Sequence, residues 1–224
     1  MPSAPIRLSV APPFELWLAD LAHDAGDDDI ALLDANERAR SARFHFERDR
    51  GRYVAAHVAL RRLLARRAGR DAASLLIETG PYGKPYLAGA PTCAFSLSHC
   101  NELALVALAD DGEIGVDLER VRLLPDLEAL ERQCLTAGER HELDGLAPID
   151  RSLAFLRRWT RKEACLKALG TGLHVEPSTF AVGGSGGARQ VCVPTISGPR
   201  DVQVIDVEVA PGWVGALARV VSSH

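Results

Sequence analysis

Lysine is almost missing from this sequence. Among 26 basic residues only Lys84, Lys162 and Lys167 are lysines, and arginine supplies the remaining positive charge. A lysine here is a compact point charge set at a chosen position, and all three fall in motifs that carry chemistry. Net positive charge is lacking as well: 26 Lys and Arg face 30 Asp and Glu, a formal −4 at pH 7. Nothing at whole-chain scale attracts nucleic acid or an anionic membrane, and neither is expected as a partner. No stretch approaches the ~20 consecutive apolar residues of a membrane span. The first twenty residues carry Pro2, Pro5, Pro12 and Pro13 and no continuous apolar run, which argues against a secretory signal. The five cysteines, Cys93, Cys100, Cys134, Cys165 and Cys192, are odd in number and show no CxxC spacing. That excludes a disulfide framework or a zinc site as the natural reading and leaves scattered thiols in a reducing, cytoplasmic setting. Repeats and low-complexity segments are absent too.

What remains is a globular composition, 47% hydrophobic and 25% charged over 224 residues, enough for one large domain or two small ones. The patterns predict a strand over residues 14–18 and a helix over 34–69, broken near Phe44–Phe46 and closed by Gly69. A short strand over 75–78 leads into the Gly80-Pro-Tyr-Gly-Lys-Pro85 loop. Strands follow over 94–99 and 103–109, and Asp110-Asp-Gly112 signals a hairpin returning over 114–119. After a linker, two helices are expected, the second opened by the capping-box spacing of Thr136 and Glu139. A third helix runs over 152–169, closed by Gly170. Strands over 179–182, 190–193, 202–209 and 213–220 complete an α+β chain of two similar-sized halves, residues 1–121 and 122–224.

Two segments carry the densest chemistry. In Ile114-Gly-Val-Asp-Leu-Glu119, period-two alternation puts Ile114, Val116 and Leu118 on one face and Gly115, Asp117 and Glu119 on the other. Two carboxylates about 6.5–7 Å apart along a strand repel each other and suit a shared Mg²⁺, and Gly115 leaves room for something to approach the backbone. In Trp159-Thr-Arg-Lys-Glu-Ala-Cys-Leu-Lys167, Glu163 and Lys167 stack one turn apart, either as a surface ion pair or as a third carboxylate and a phosphate-binding cation. Lys162 falls near the apolar stripe, an odd place for a cation without a partner. Gly83-Lys84-Pro85 sets a lysine on a stiff loop, and Ser98-His99 closes a strand where a hydroxyl and an imidazole can face a ligand. Arg40, Arg43, Arg50 and Arg52 surround the helix break, either as anion ligands or as solvated faces.

Taken in order, Gly83-Lys84-Pro85, Phe95-Ser-Leu-Ser98-His99, Gly115-Val-Asp117-Leu-Glu119 and the Trp159–Lys167 segment resemble the Sfp-type 4′-phosphopantetheinyl transferases. The resemblance spans at least residues 40–172. Ser96 stands where members of that family often carry Asn, and Glu37 stands at a position that is frequently basic.

The resemblance implies two α+β halves related by a pseudo-twofold axis, with coenzyme A between them. It implies Mg²⁺, or Mn²⁺ in its place, on Asp117, Glu119 and Glu163, and Lys167 on the phosphates. Lys84, Ser98 and His99, with Arg40 and Arg52, would hold the nucleotide end. The reaction implied is transfer of 4′-phosphopantetheine to a serine of an apo acyl, peptidyl or aryl carrier protein, with release of 3′,5′-ADP. Such carriers serve fatty-acid, polyketide or nonribosomal peptide synthesis. Asp117, Glu163 and Lys167 are the catalytic candidates, with Glu163 ahead of Glu139 as base. A cytoplasmic monomer is expected. Carrier docking is expected beside Leu123-Leu124 and Arg157, Arg158 and Arg161. Two other readings stay open on the residues alone: a Mg²⁺-dependent enzyme acting on another diphosphate, and a coenzyme A or carrier-protein binding module without catalysis.

Overall fold

The computed structural model describes residues 4–11, 13–22, 26–90, 92–184 and 186–221. Pro2, Pro12 and Ser185, which entered the readings of the N-terminus and of the Gly183–Gly187 turn, lie outside them. The chain divides into two compact units, residues 1–79 with 85–111, and residues 80–84 with 112–224. The α+β class is borne out.

In the first unit β1 (Ile6–Leu8), β2 (Glu15–Asp20), β5 (Ala94–Cys100) and β6 (Leu103–Ala109) form an antiparallel sheet of order β1-β2-β6-β5. A small separate ladder joins β3 (Ile77–Thr79) to β4 (Pro85–Leu87). Asn101, at φ 47°, turns the chain between β5 and β6, a left-handed position that asparagine tolerates. Helices α1 (Asp27–Leu32) and α2 (Ala35–Ser41) precede α3 (Glu47–Ala68). The break at 42–46 falls where the sequence placed it, and Gly69 closes α3 in the left-handed region. Leu60, Leu63 and Leu64 of α3 pack on Trp17, Phe95, Val106 and Leu108 of the sheet. β1 and α1 were not among the expected elements, because both are short and lack a clear apolar period.

Arg61 is fully buried in this unit. Its Nε donates to Glu37 at 2.6 Å, its Nη2 to Asp34 at 2.7 Å, and its Nη1 to the carbonyls of Ala72 and Leu75 at 2.9 and 3.1 Å. Glu37 also closes the capping box of α2 and lies 2.8 Å from His57 Nδ1. Burial alone would raise the Glu37 carboxyl; the His57 hydrogen bond, a backbone N–H and the charges of His57 and Arg61 hold it below its ordinary value. The acidic residue at this position is thus the counter-ion of a buried arginine.

In the second unit β7 (Ile114–Arg120), β8 (Arg189–Val193), β9 (Arg200–Val207) and β10 (Trp213–Val220) form an antiparallel sheet of order β7-β10-β9-β8. Helices α4 (Leu127–Cys134) and α5 (Ala137–His141) lead to α6 (Pro148–Leu169). That last helix starts four residues before the sequence-based bound, because Pro148 serves at its first turn, where a missing N–H costs nothing. Ala164, Cys165 and Ala168 of α6 pack on Val191, Val202, Val204, Ala216 and Ala218.

Three expectations change. β7 pairs with β10, so the boundary expected at residue 121 moves to Asp111–Gly112. For the same reason Asp110-Asp-Gly112 links two sheets and is not a hairpin. The strand expected over 179–182 is absent: Pro177–Thr179 is one 3₁₀ turn, and the polar groups around it bond to side chains instead of a ladder.

Candidate active site

The site grows from the alternation of β7. Ile114, Val116 and Leu118 are at most 1% exposed, and Gly115, Asp117 and Glu119 share the opposite face, which α6 covers. A Cβ on Gly115 would lie 2.1 Å from the Ala164 carbonyl oxygen and 2.4 Å from the Ala168 nitrogen. What approaches the strand at the glycine is therefore the main chain of α6. Ala216 and Ala218 of β10, opposite Asp117 and Gly115, are small as well. The seam lets the helix settle low on the sheet and delivers its side chains to the carboxylates.

Lys167 Nζ lies 2.7 Å from Asp117 Oδ1, with the Asp117 side chain 8% exposed and that of Lys167 32%. Glu163, one turn earlier, is half-buried. Burial pushes its carboxyl above the ordinary value, and the charges of Asp117 and Glu119 push the same way against Lys167. Glu119 is half-buried, with Oε2 3.4 Å from Arg122 Nη1. The structure thus brings Asp117, Glu119, Glu163 and Lys167 into one electrostatic cluster. Among the described residues no group of three or more His, Cys, Asp or Glu side chains is placed to hold a metal as it stands. At Asp117 the cationic position is taken by Lys167. The donor set itself, all hard carboxylate oxygens with one acid strained by its neighbours, is the chemistry that Mg²⁺ prefers.

Lys162 is fully buried, and its partner is Glu139 at 2.8 Å. Its ammonium also donates to the carbonyls of Pro177, at 2.8 Å, and Phe180. Glu139 accepts from the N–H groups of Thr136 at 3.0 Å and Val182 at 2.8 Å. Three donors engage the Glu139 carboxylate, which is 2% exposed, and that gives it a structural role and weighs against it as the base. The sequence held the clue in two pieces, a lysine in an apolar stripe and a capping-box glutamate, with nothing local to join them.

Lys84 sits at the far end of α6, donating to the Ala168 carbonyl. A cation there meets the negative end of the helix dipole, an interaction worth up to about 2 kcal/mol when partly buried. Burial nonetheless lowers its pKa from 10.5 to about 8, against a smaller opposing pull from Glu113. Between those two values the unfolded chain keeps a proton that the folded one has released. The stability owed to Lys84 therefore rises with pH across that window, and the cost of burying the charge is complete below about 8. The gap in Tm between the native protein and Lys84→Met should widen in favour of the native protein from pH 8 to 10.5. A gap that stays flat would mean that the amine titrates like a surface lysine.

The other expected ligands lie in the first unit. Ser98 is buried and His99 exposed, both on the edge strand β5. Arg52 is 3.8 Å from Asp49. Arg40 stacks over the Tyr53 ring at 5.6 Å and, with Asn36, Ala39, Arg43 and Phe44, lines a groove of ≈ 660 Å³.

The expected docking arginines separate. Arg157 is exposed, but Arg158 pairs with Glu142 at 2.5 Å and Arg161 with Asp206 through Nε at 2.6 Å, both arginines being buried. Leu123, Leu146 and Ile149 are exposed at 61%, 41% and 47%, and Cys192 is an exposed thiol.

Comparison with known proteins agrees with this arrangement. Residues 113–200 match the family model described as the 4′-phosphopantetheinyl transferase superfamily, and residues 27–111 the model of a 4′-phosphopantetheinyl transferase N-terminal domain. The 4′-phosphopantetheinyl transferase HetI of Nostoc sp. is 33% identical over 178 residues, 77% of this chain and 75% of the relative. A 4′-phosphopantetheinyl transferase of Bacillus subtilis is 28% identical over 160 residues, 70% of each chain. Sfp of Bacillus subtilis strain 168 is 23% identical over 198 residues, 88% of this chain and 86% of Sfp. The two models meet at the Asp111–Gly112 junction where the structure divides, and the chain belongs to the 4′-phosphopantetheinyl transferase superfamily.

Proposed function

We propose that this protein transfers 4′-phosphopantetheine from coenzyme A to a serine of an apo carrier protein through the cluster on β7 and α6. The observation that carries the residue assignment is the placement of Glu163 and Lys167 over Asp117, made possible by the bare backbone at Gly115. Asp117, Glu119 and Glu163 would hold Mg²⁺, which requires Lys167 to release Asp117. Bound there, the metal supplies positive charge where the pyrophosphate of coenzyme A gathers negative charge in the transition state.

The side chains do the rest. Lys167, released from Asp117, moves its ammonium to the phosphate oxygens next to the bond that breaks. Glu163 accepts the proton of the attacking serine hydroxyl, directly or through a water. The serine oxygen joins the β-phosphorus as 3′,5′-ADP leaves. Ser98, His99, Arg40 and Arg52 serve the nucleotide end of coenzyme A. The carrier docks on the exposed leucine and isoleucine side chains of the second unit, Leu123, Leu146 and Ile149, with Arg157 as the accessible cation. The protein acts as a monomer in the cytoplasm.

The test uses apo acyl and peptidyl carrier proteins with coenzyme A, read as the mass gain of the carrier. Exhaustive chelation should abolish transfer, and Mg²⁺ or Mn²⁺ should restore it. Asp117→Asn and Glu163→Gln should each lower turnover by about 10²–10³-fold. Full activity after chelation removes the metal assignment, and near-native turnover in either variant removes that residue from the mechanism.

A further inference from the structure

The Gly80–Lys84 loop clusters with the second unit, where Lys84 and Tyr82 meet the end of α6 and the turn after it. Lys84 donates to the carbonyl of Ala168, the residue directly after Lys167. The last carbonyls of a helix have no intrahelical partner, so this one would otherwise depend on solvent. The aliphatic stem of Lys84 crosses Gly170, where an added Cβ would meet Lys84 Cδ at 2.9 Å and Cβ at 3.3 Å. Gly170 is left-handed at φ 66°, so glycine there both stops the helix and seats the lysine. The Tyr82 carbonyl lies 3.5 Å from the Cβ position of Gly172, and the Tyr82 ring stands edge-on to His174 with centroids 5.1 Å apart. Lys84 and Tyr82 thus touch Ala168, Gly170, Gly172 and His174 in turn.

We propose that Lys84 is a positioning residue for α6: its ammonium caps the last turn of the helix and fixes the backbone that carries Glu163 and Lys167. The inference rests on the transferase reading for its kinetic consequence only. It differs from a role as ligand of the coenzyme A 3′-phosphate, because the lysine then acts on turnover whatever the nucleotide carries. Glu163 and Lys167 project from the turns immediately before the capped carbonyl. A last turn that frays moves Lys167 first, and a displacement of about 1 Å at a reacting group is enough to cost rate rather than binding.

The experiment compares the native protein, Lys84→Met and Lys84→Arg, each with coenzyme A and with dephospho-coenzyme A. Methionine keeps most of the aliphatic stem and removes the donor; arginine keeps a cationic donor. In Lys84→Met, kcat should fall about tenfold with both nucleotides, while the ratio of their KM values stays that of the native protein. Lys84→Arg should recover most of kcat. Amide hydrogen exchange over residues 167–172 should accelerate at least about tenfold in Lys84→Met and less in Lys84→Arg. A defect confined to KM for coenzyme A, with dephospho-coenzyme A unaffected, overturns the proposal in favour of a phosphate ligand. Unchanged exchange at the end of α6 overturns it as well. Should the native protein modify no carrier, the transferase reading fails, and the exchange comparison still decides Lys84.

Discussion

Gly115→Ala should cost both the stability and the activity of this protein. The new methyl group would stand 2.1 Å from the Ala164 oxygen and 2.4 Å from the Ala168 nitrogen. Those atoms belong to helix backbone, which cannot rotate aside as a side chain can. Overpacking in a well-packed core costs about 1–3 kcal/mol and sometimes more, and this contact belongs at the upper end. At about 2–4 °C per kcal/mol for a chain of this size, a fall in Tm of roughly 6–12 °C follows. Relief comes from lifting α6 off β7, which separates Glu163 and Lys167 from Asp117. Transfer should drop by about 10²-fold or more in the fraction that remains folded. A variant with native Tm and native turnover would show that the helix does not ride on the strand as described.

The second large effect is expected at Glu139. Glu139→Ala strips the carboxylate from the fully buried Lys162 ammonium and leaves it on the carbonyls of Pro177 and Phe180. Removing one partner of a buried pair costs about 3–5 kcal/mol, and here the N–H groups of Thr136 and Val182 lose an acceptor too. A fall in Tm of roughly 6–20 °C is expected. The double variant Glu139→Leu/Lys162→Met should recover a good part of the loss, since no charge is then stranded. The opposite result, an unchanged Tm with turnover abolished, would return Glu139 to the role of catalytic base.

These two positions show where the sequence was readable. The faces of β7 followed from alternation because a strand has a period of two whatever it pairs with. The partner of that strand did not follow. Asp110-Asp-Gly112 has the residues of a tight turn, yet β7 pairs with β10, nearly a hundred residues later, and no local pattern encodes that choice. Lys162 was visibly out of place in an apolar stripe, but its counter-ion belongs to another helix, that of Arg158 is the residue that closes α5, and that of Arg161 lies on β9. Charged residues on a helix read as surface until the tertiary fold supplies an opposite charge. The carboxylates and lysine of the site were legible because their spacing along one strand and one helix is local. The Lys84 contact with Ala168 was not, since it spans 84 residues.

The scarcity of lysine has a practical side. Amine-reactive reagents need an accessible, unprotonated amine, and on most proteins they decorate the surface at random. Here Lys162 is sealed in the core, Lys167 is held by Asp117, and Lys84 is half-buried at the end of α6 with a pKa pulled to about 8. No lysine side chain of this protein is ordinary surface. Lysine acylation by a small amine-directed probe, told apart from the α-amine by peptide mass mapping, would therefore report on the carboxylate cluster and the helix end beside it.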